Sequence, residues 1–434
     1  MTGSRLVCAG CGWEPPADAA YPFRCARSGS DSDDSDHVLA HRLSTDAVLD
    51  RGEDENPFVR YRECMYAWHA ARARGMSDAA FVDLTRRLDE RIAAVDGRGF
   101  RVTPFGPTKT LSDRLGLEVW VKDETGNVAG SHKARHLMGI LLYLEVVEHG
   151  EKPPLAIASC GNAALAAAVL ARAVKRALQV FVPPNAEPTV LARLHALGAT
   201  VVSCPRAAGE LGDPCVHRFH AALRAGALAF CCQGNDNGLA IDGGETLVYE
   251  MLVSGAPPLD DLVVQVGGGA LASACMQAIG RARAVAAGLT PSAPKVHTVQ
   301  TRGASPLQRA WTLLQERRAS TGATVDDALR YAAAHRSAFM WPWEQTPLSI
   351  AEGILDDETY DWMAVLRGMA ATGGTTVVAD EETLIEANRL ARETTGIAVS
   401  HTGSAGLAGL LELQREGVIA TGARVGVLFS GVQR

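Results

Sequence analysis

The chain has 434 residues, with 42 Lys and Arg against 49 Asp and Glu, a formal net charge of −7. That length suggests two or three domains, and 47% hydrophobic with 21% charged residues excludes a mostly disordered chain. The acidic balance and 6% aromatic content exclude a general nucleic-acid binder, which needs a basic face and stacking platforms. Glycine, at 43 residues, exceeds the usual ~7% of a chain, so its placement carries information. No apolar leader follows Met1-Thr2-Gly3-Ser4-Arg5, and no window approaches ~18 uninterrupted apolar residues. Cys204, Cys231, Cys232 and Cys275 sit in apolar contexts, as small buried hydrophobes do. A cytoplasmic, reduced protein without membrane contact is expected.

Residues 1–55 stand apart. Cys8-Ala-Gly-Cys11-Gly12 is half of a zinc ribbon, two thiolates and a turn glycine gripping one side of a metal. Cys25 follows without a second Cys-x-x-Cys, and His37 is a candidate fourth ligand at irregular spacing. The reading stays open between a zinc site on Cys8, Cys11 and Cys25 and a ribbon remnant without metal. The run Ser28–Asp36 reads as a flexible acidic loop. Residues 56–100 carry apolar residues at helical spacing, around Tyr61–Trp68 and Phe81–Leu88, and read as packing helices.

From 101 to 300 strands and helices alternate. Strands are expected at Val119–Lys122, Leu155–Ala158, Leu178–Val182, Thr200–Ser203, Leu262–Val266 and Lys295–Val299. Helices are expected at Lys133–Glu148, Ala163–Val174 and Val190–Leu197. Such alternation implies parallel sheets covered on both faces. Residues 301–434 read as more helical, with a last strand at Arg424–Phe429.

Four segments carry chemistry. Lys133 follows Gly130-Ser131-His132 and opens a helix, where the positive end of the dipole favours a neutral, nucleophilic amine. The plain alternative is a solvated surface charge. Ser159-Cys160-Gly161-Asn162-Ala163 links a strand to a helix and can offer backbone N–H groups to a carboxylate, or simply cap the helix. Gly267-Gly268-Gly269-Ala270-Leu271 occupies the same kind of junction and suits a phosphate. It matches neither the dinucleotide fingerprint nor the P-loop, which argues against a nicotinamide dehydrogenase. Thr402 lies in Ser400-His401-Thr402-Gly403, hydroxyls at a helix start, which alone would be a capping turn.

Taken in order, Thr103-Pro104-Phe105, Lys122-Asp123-Glu124, Ser131-His132-Lys133 and Ser159-Cys160-Gly161-Asn162 resemble the fold-type II pyridoxal-phosphate enzymes. The resemblance runs from about Thr103 to the C-terminus. It implies a tryptophan synthase β-like α/β fold, two parallel-sheet domains with the active site between them. Residues 56–134 and 236–434 would form the large cofactor-binding domain and 135–235 a small mobile one, after the ribbon-like segment 1–55. Lys133 would carry pyridoxal phosphate as its Schiff-base lysine and then take the Cα proton. Asn162 would bond the ring hydroxyl, and Ser159, Cys160, Gly161, Asn162 and Ala163 would hold the substrate carboxylate. Gly267 to Leu271 would cradle the phosphate, and Thr402 would meet the pyridine nitrogen. A neutral hydroxyl there makes the ring a weaker electron sink, which suits expulsion of a β leaving group better than transamination.

Within the family the chain most resembles threonine synthase, through Cys8-x-x-Cys11-Gly, Arg60-Tyr61-Arg62 and the segment Ala240–Thr246, similar to a Glu-Gly-x-x-Thr turn. The expectation is a lyase of amino-acid metabolism eliminating or replacing at the β or γ carbon, with a homodimeric assembly. A threonine/serine ammonia-lyase, a specialised relative on another amino acid, and an inactive binding or regulatory relative are the alternatives. For the phosphate of a phosphorylated substrate, Lys109, Arg135 and His136 are the available cations.

Overall fold

The computed structural model describes residues 4–29, 33–210, 212–285 and 293–434. Met1–Gly3 of the leader reading and residues 30–32 of the acidic run lie outside them.

An N-terminal pair opens the chain, β1 (Arg5–Cys8) antiparallel to β2 (Leu39–Arg42). The described end of the acidic run is no free loop. Its Asp36 is buried, its N–H donates to the Ala333 carbonyl at 2.7 Å, and its carboxylate accepts from Trp362 Nε1 at 2.9 Å. Donors on the body meet these acidic groups, so the expected loop is tied down. The helical stretch resolves into α1 (Pro57–Arg60), α2 (Tyr66–Ala73) and α3 (Asp78–Asp96). Ser77 caps α3 by accepting from the Ala80 N–H, and its Phe81, Leu88 and Ile92 are buried at helical spacing.

Next come β3 (Phe105–Pro107), α4 (Lys109–Leu115), β4 (Glu118–Asp123) and α5 (Lys133–Val147). A small parallel sheet follows, from β5 (Leu155–Ala158), α6 (Asn162–Ala173), β6 (Leu178–Val182), α7 (Pro188–Ala196), β7 (Thr200–Ser203), α8 (Pro214–Arg224) and β8 (Leu228–Ala229), in the order β7-β6-β5-β8. The chain then returns to the large sheet through α9 (Ala240–Leu252), β9 (Asp261–Gln265), α10 (Ala270–Val285), β10 (Lys295–Thr301), α11 (Pro306–Thr321), α12 (Val325–Ala334), α13 (Trp362–Thr372), β11 (Thr376–Ala379), α14 (Glu381–Thr395), α15 (His401–Arg415) and β12 (Arg424–Phe429). Its order is β11-β10-β9-β12-β4-β3, parallel but for β3 against β4.

Period-two alternation explains how β9 is covered. Leu262 and Val264 enter a core with α10 and α13, while Val263 enters the opposite one with α14 and α15. A third core joins α3, α5 and α6 to the small sheet. Among the described residues no helix is long and apolar enough to cross a membrane.

Candidate active site

β4, β12 and β9 are neighbours, and their carboxyl ends feed loops into one region, the crevice where open parallel sheets place ligands. From β4 the chain turns through Val128–Gly130 to Lys133, the first residue of α5. Ser131 bridges Gly431 beyond β12, and the Val432 N–H donates to the Gly130 carbonyl at 2.9 Å. The lysine's approach is thereby fastened to the C-terminal segment.

Lys133 is half-buried, with two imidazoles beside it. The backbone N–H and Nδ1 of His132 both donate to the Ser430 carbonyl at 3.1 Å. Nδ1 of His136 donates to the Ala240 carbonyl at 2.8 Å. Each ring's Nε2 is buried without a partner, and the rings meet edge-on at 5.5 Å. Burial, and then the charge of Lys133, pushes His136 down to about 3 and His132 well below its ordinary value. Both imidazoles are neutral at physiological pH.

The glycine loop follows β9 and opens α10. A Cβ on Gly267 would lie 2.3 Å from Asp356 Oδ2, and one on Gly268 would lie 2.8 Å from the Tyr360 ring. Gly269, at φ 97°, would place a Cβ 2.9 Å from Thr359 Cγ2. The loop is therefore a cradle that side chains would fill, and the segment Ile354–Asp361 packs against it. Thr359 Oγ1 donates to the Gly267 carbonyl and the Asp361 N–H to the Gly268 carbonyl, each at 3.0 Å. The Asp361 carboxylate accepts from the Gly234 N–H at 3.2 Å. Burial pushes Asp356 up to about 6 and Asp361 up to about 7, against the opposing pull of Lys133. This segment escaped the sequence reading, although its run Asp356-Asp357-Glu358 was a visible signal.

Thr402 lies in the first turn of α15, capped by Ser400, and its Oγ1 accepts from the Gly353 N–H at 3.0 Å. Gln265 Nε2 reaches the Gly403 carbonyl at 2.9 Å and Ser430 Oγ at 2.7 Å, holding the starts of these loops together. Across the cleft, Asn162 begins α6; its Oδ1 accepts from Arg434, and its Nδ2 lies against Gly431. Desolvation of the Cys160 thiol, and then the charges of Glu352, Asp213 and Asp356, raise its pKa. Gly431 thus touches both Ser131, two residues before Lys133, and Asn162, while Gly353 bonds Thr402 and Asp356 lies against Gly267. Ser131 Oγ, His132 Nε2, His136 Nε2, Asn235 Oδ1 and Asp361 Oδ1 are buried polar atoms with no partner among the described residues. Buried polar groups are nearly always satisfied, so these orphans and the glycine cradle fit a polar, phosphate-bearing group such as pyridoxal phosphate.

The cations proposed for a substrate phosphate lie elsewhere. Arg135 is fully buried, bonded to Glu124 at 2.8 Å and to Glu250 at 2.6 Å, with Lys122 on the same Glu250. Its guanidinium lies below the lysine's helix because two buried carboxylates need it there. Lys109 is exposed and paired with Asp113, and His136 is neutral. The segment Ala240–Thr246 is the start of helix α9, and Thr246 Oγ1 accepts from Arg135 at 3.0 Å. In the N-terminal module, Cys8, Cys11, Cys25 and His37 converge, with ligand atoms all within 4.8 Å of one another. Chain closure brings in His37, which its spacing in the sequence did not make plain.

The family model described as "Pyridoxal-phosphate dependent enzyme" matches residues 98–431. A mouse serine dehydratase-like protein is 31% identical over 185 residues, 42% of this chain and 53% of that protein. Its rat counterpart is 31% identical over 172 residues, 39% of this chain and 50% of that one. The chain thus spans about half the length of the curated relatives it matches. Maize serine racemase superposes with TM-score 0.59 at 19% identity, covering 81% of this chain and 93% of the other. Processed threonine deaminase isoform 2 from Solanum lycopersicum gives 0.59 at 16%, covering 81% and 90%. At these identities the two structures speak for the fold.

Proposed function

The chain belongs to the pyridoxal-phosphate dependent enzymes, and from that premise we propose that it is an ammonia-lyase-type β-eliminase acting on a small, unphosphorylated amino acid. The observation that carries this reading is where the candidate phosphate-binding cations lie. Glu352, Asp213 and Asp356 act on Cys160 in the carboxylate turn, and Asp356 and Asp361 flank the glycine loop. None of Lys109, Arg135 and His136 is placed to meet a substrate phosphate. A threonine-synthase-like reaction would bring a second phosphate, beyond the cofactor's in the glycine cradle, that none of these three cations meets. The similarity to serine dehydratase-like proteins supports the same choice.

Pyridoxal phosphate, when bound, supplies the electron sink for charge developing at the substrate Cα. The residues of this chain supply the rest. Lys133 Nζ would hold the cofactor and move the Cα proton, with two neutral imidazoles adding no competing positive charge. Gly267 to Leu271 and the first turn of α10 offer N–H groups to the phosphate. Asn162, at the start of α6, would bond the ring hydroxyl, and Ser159 to Ala163 would receive the substrate carboxylate. The Thr402 hydroxyl would meet the ring nitrogen and would bring no charge with which to hold it protonated. That favours loss of a β substituent over amino-group transfer.

The test is reconstitution with pyridoxal phosphate, then assay of 2-oxo acid and ammonia from L-serine, L-threonine and a 2,3-diamino acid. Phosphorylated hydroxy-amino acids are run alongside. Oxo acid and ammonia from unphosphorylated substrates are expected, and Lys133→Ala should lose both this activity and the visible band of the bound cofactor. Inorganic phosphate released from the phosphorylated compounds alone would overturn the reading.

A further inference from the structure

We propose that Cys8, Cys11, Cys25 and His37 bind one structural zinc ion, and that this ion clasps two of the segments surrounding Lys133. The site is independent of the proposed reaction and lies outside the family match at 98–431.

Geometry argues for the metal first. Cys8 Sγ lies 3.4 Å from His37 Nδ1, and Cys11 Sγ lies 3.6 Å from Cys25 Sγ. A tetrahedral zinc, at about 2.3 Å from sulfur and about 2.0–2.1 Å from nitrogen, sets its ligand atoms roughly 3.5–3.8 Å apart, within a few tenths of an ångström of both contacts. The three cysteines are free thiols. The histidine is already turned toward them. His37 Nε2 donates to Asp33 Oδ2 at 2.7 Å, so the unprotonated Nδ1 faces the sulfurs. A carboxylate behind a ligand histidine is the usual support of a zinc site. Three thiolates and an imidazole in tetrahedral array select zinc over hard cations such as magnesium or calcium.

The turn is shaped for it. The Gly12 N–H donates to the Cys8 carbonyl at 2.9 Å, folding Cys11 back over Cys8. A Cβ on Gly10 would lie 1.9 Å from the Asp36 carbonyl oxygen, so only glycine lets the His37 segment approach. The local apolar cluster contains just Cys8, Cys25 and Leu39 among its buried residues, with Cys11 and Trp13 against it. So small a cluster adds little to the order of the turn and its three thiols, and a metal cross-link would fix them.

Among the module's contacts with the catalytic body, two lead toward the pocket. The Phe23 carbonyl, two residues before Cys25, accepts from the Gly238 N–H at 3.0 Å. Asp36, next to His37, accepts from Trp362 Nε1. Gly238 ends the loop containing Gly234, Trp362 adjoins Asp361, and Gly234 and Asp361 are bonded to each other beside the glycine loop. An ion that joins Cys25 to His37 therefore holds these two segments in register.

The experiment uses the full chain purified under reducing conditions. Elemental analysis should give one zinc per chain, and cobalt exchange should give the thiolate charge-transfer and tetrahedral ligand-field bands of a site with three sulfur ligands and one nitrogen. Asp33→Asn, which keeps all four ligands, should weaken zinc affinity about 10–100-fold in a chelator competition. Zinc removal should speed amide exchange in residues 231–238 and 361–365 and leave α14 and α15 unchanged. Absence of zinc after supplementation, a Cys11–Cys25 disulfide, another metal at full occupancy, or unchanged affinity in Asp33→Asn would overturn the site. Unchanged exchange on metal removal would overturn the clasp.

Discussion

Replacing Asp361 by Asn tests the electrostatics of the pocket directly. Asp361 is 1% exposed, one of its oxygens has no partner, and burial raises its carboxyl to about 7. Its folded-state value lies above the unfolded one, so the native state retains a proton that the unfolded chain has released. Stability is undiminished below about pH 4, falls as pH rises from about 4 to about 7, and is level above that. The displacement from 3.8 to about 7 corresponds to about 4 kcal/mol at about 1.4 kcal/mol per pH unit. An asparagine has nothing to ionise. The amide brings its own pH-independent cost, so the informative quantity is how the stability difference between variant and wild type changes with pH. Urea unfolding of cofactor-free protein at about pH 5 and about pH 8 should show the variant gaining roughly 2–3 kcal/mol on the wild type across that span. A difference equal at both pH values would show Asp361 ionised throughout and refute the reasoning.

Two further substitutions probe the frame. Arg135→Leu leaves Glu124 and Glu250 facing Lys122 alone in a fully buried site, and should cost about 3–5 kcal/mol in urea unfolding; a loss under about 1 kcal/mol would contradict the network's described role. Gly269→Ala forces a side chain into a left-handed conformation 2.9 Å from Thr359, with about 1–2 kcal/mol of strain before any clash. Cofactor titration followed by visible absorbance should show weaker binding, and an unchanged Kd would remove the cradle from the phosphate site.

Much of the scaffold was legible because its strands are short apolar runs bounded by turn residues. The bounds read for β5, β6, β7 and β12 coincide with the observed ones, and Lys133 does begin its helix. Strand-to-helix junctions are marked locally by Gly, Ser and Asn, so three of the segments around the cleft could be found before the fold was known. Side-chain direction and distant packing left no such mark. Arg135 looked like a cation for substrate phosphate, and its sequence neighbours give no hint of Glu250, 115 positions away. The segment Ile354–Asp361 has no periodicity, and its place against the glycine loop follows from how α13 packs on α10. His37 was visible only as an irregularly spaced histidine, since Asp34 and Asp36 ahead of it bond to the body of the protein and not to the cysteine turn.

The position of β12 has a consequence for how the chain is made. It lies between β4 and β9, yet its residues, 424–429, follow those of every other strand. During synthesis β4 and β9 leave the ribosome with facing edges and nothing to join them. The large sheet exists until then as two separate ribbons, and the loops after β4 and β9 cannot reach their final spacing. Ser430 and Gly431, which hold His132 and Ser131, arrive later still. The pocket therefore matures in one late step, when the central strand threads into the gap and closes both edges at once, and newly made chains depend on protection of those edges until it does.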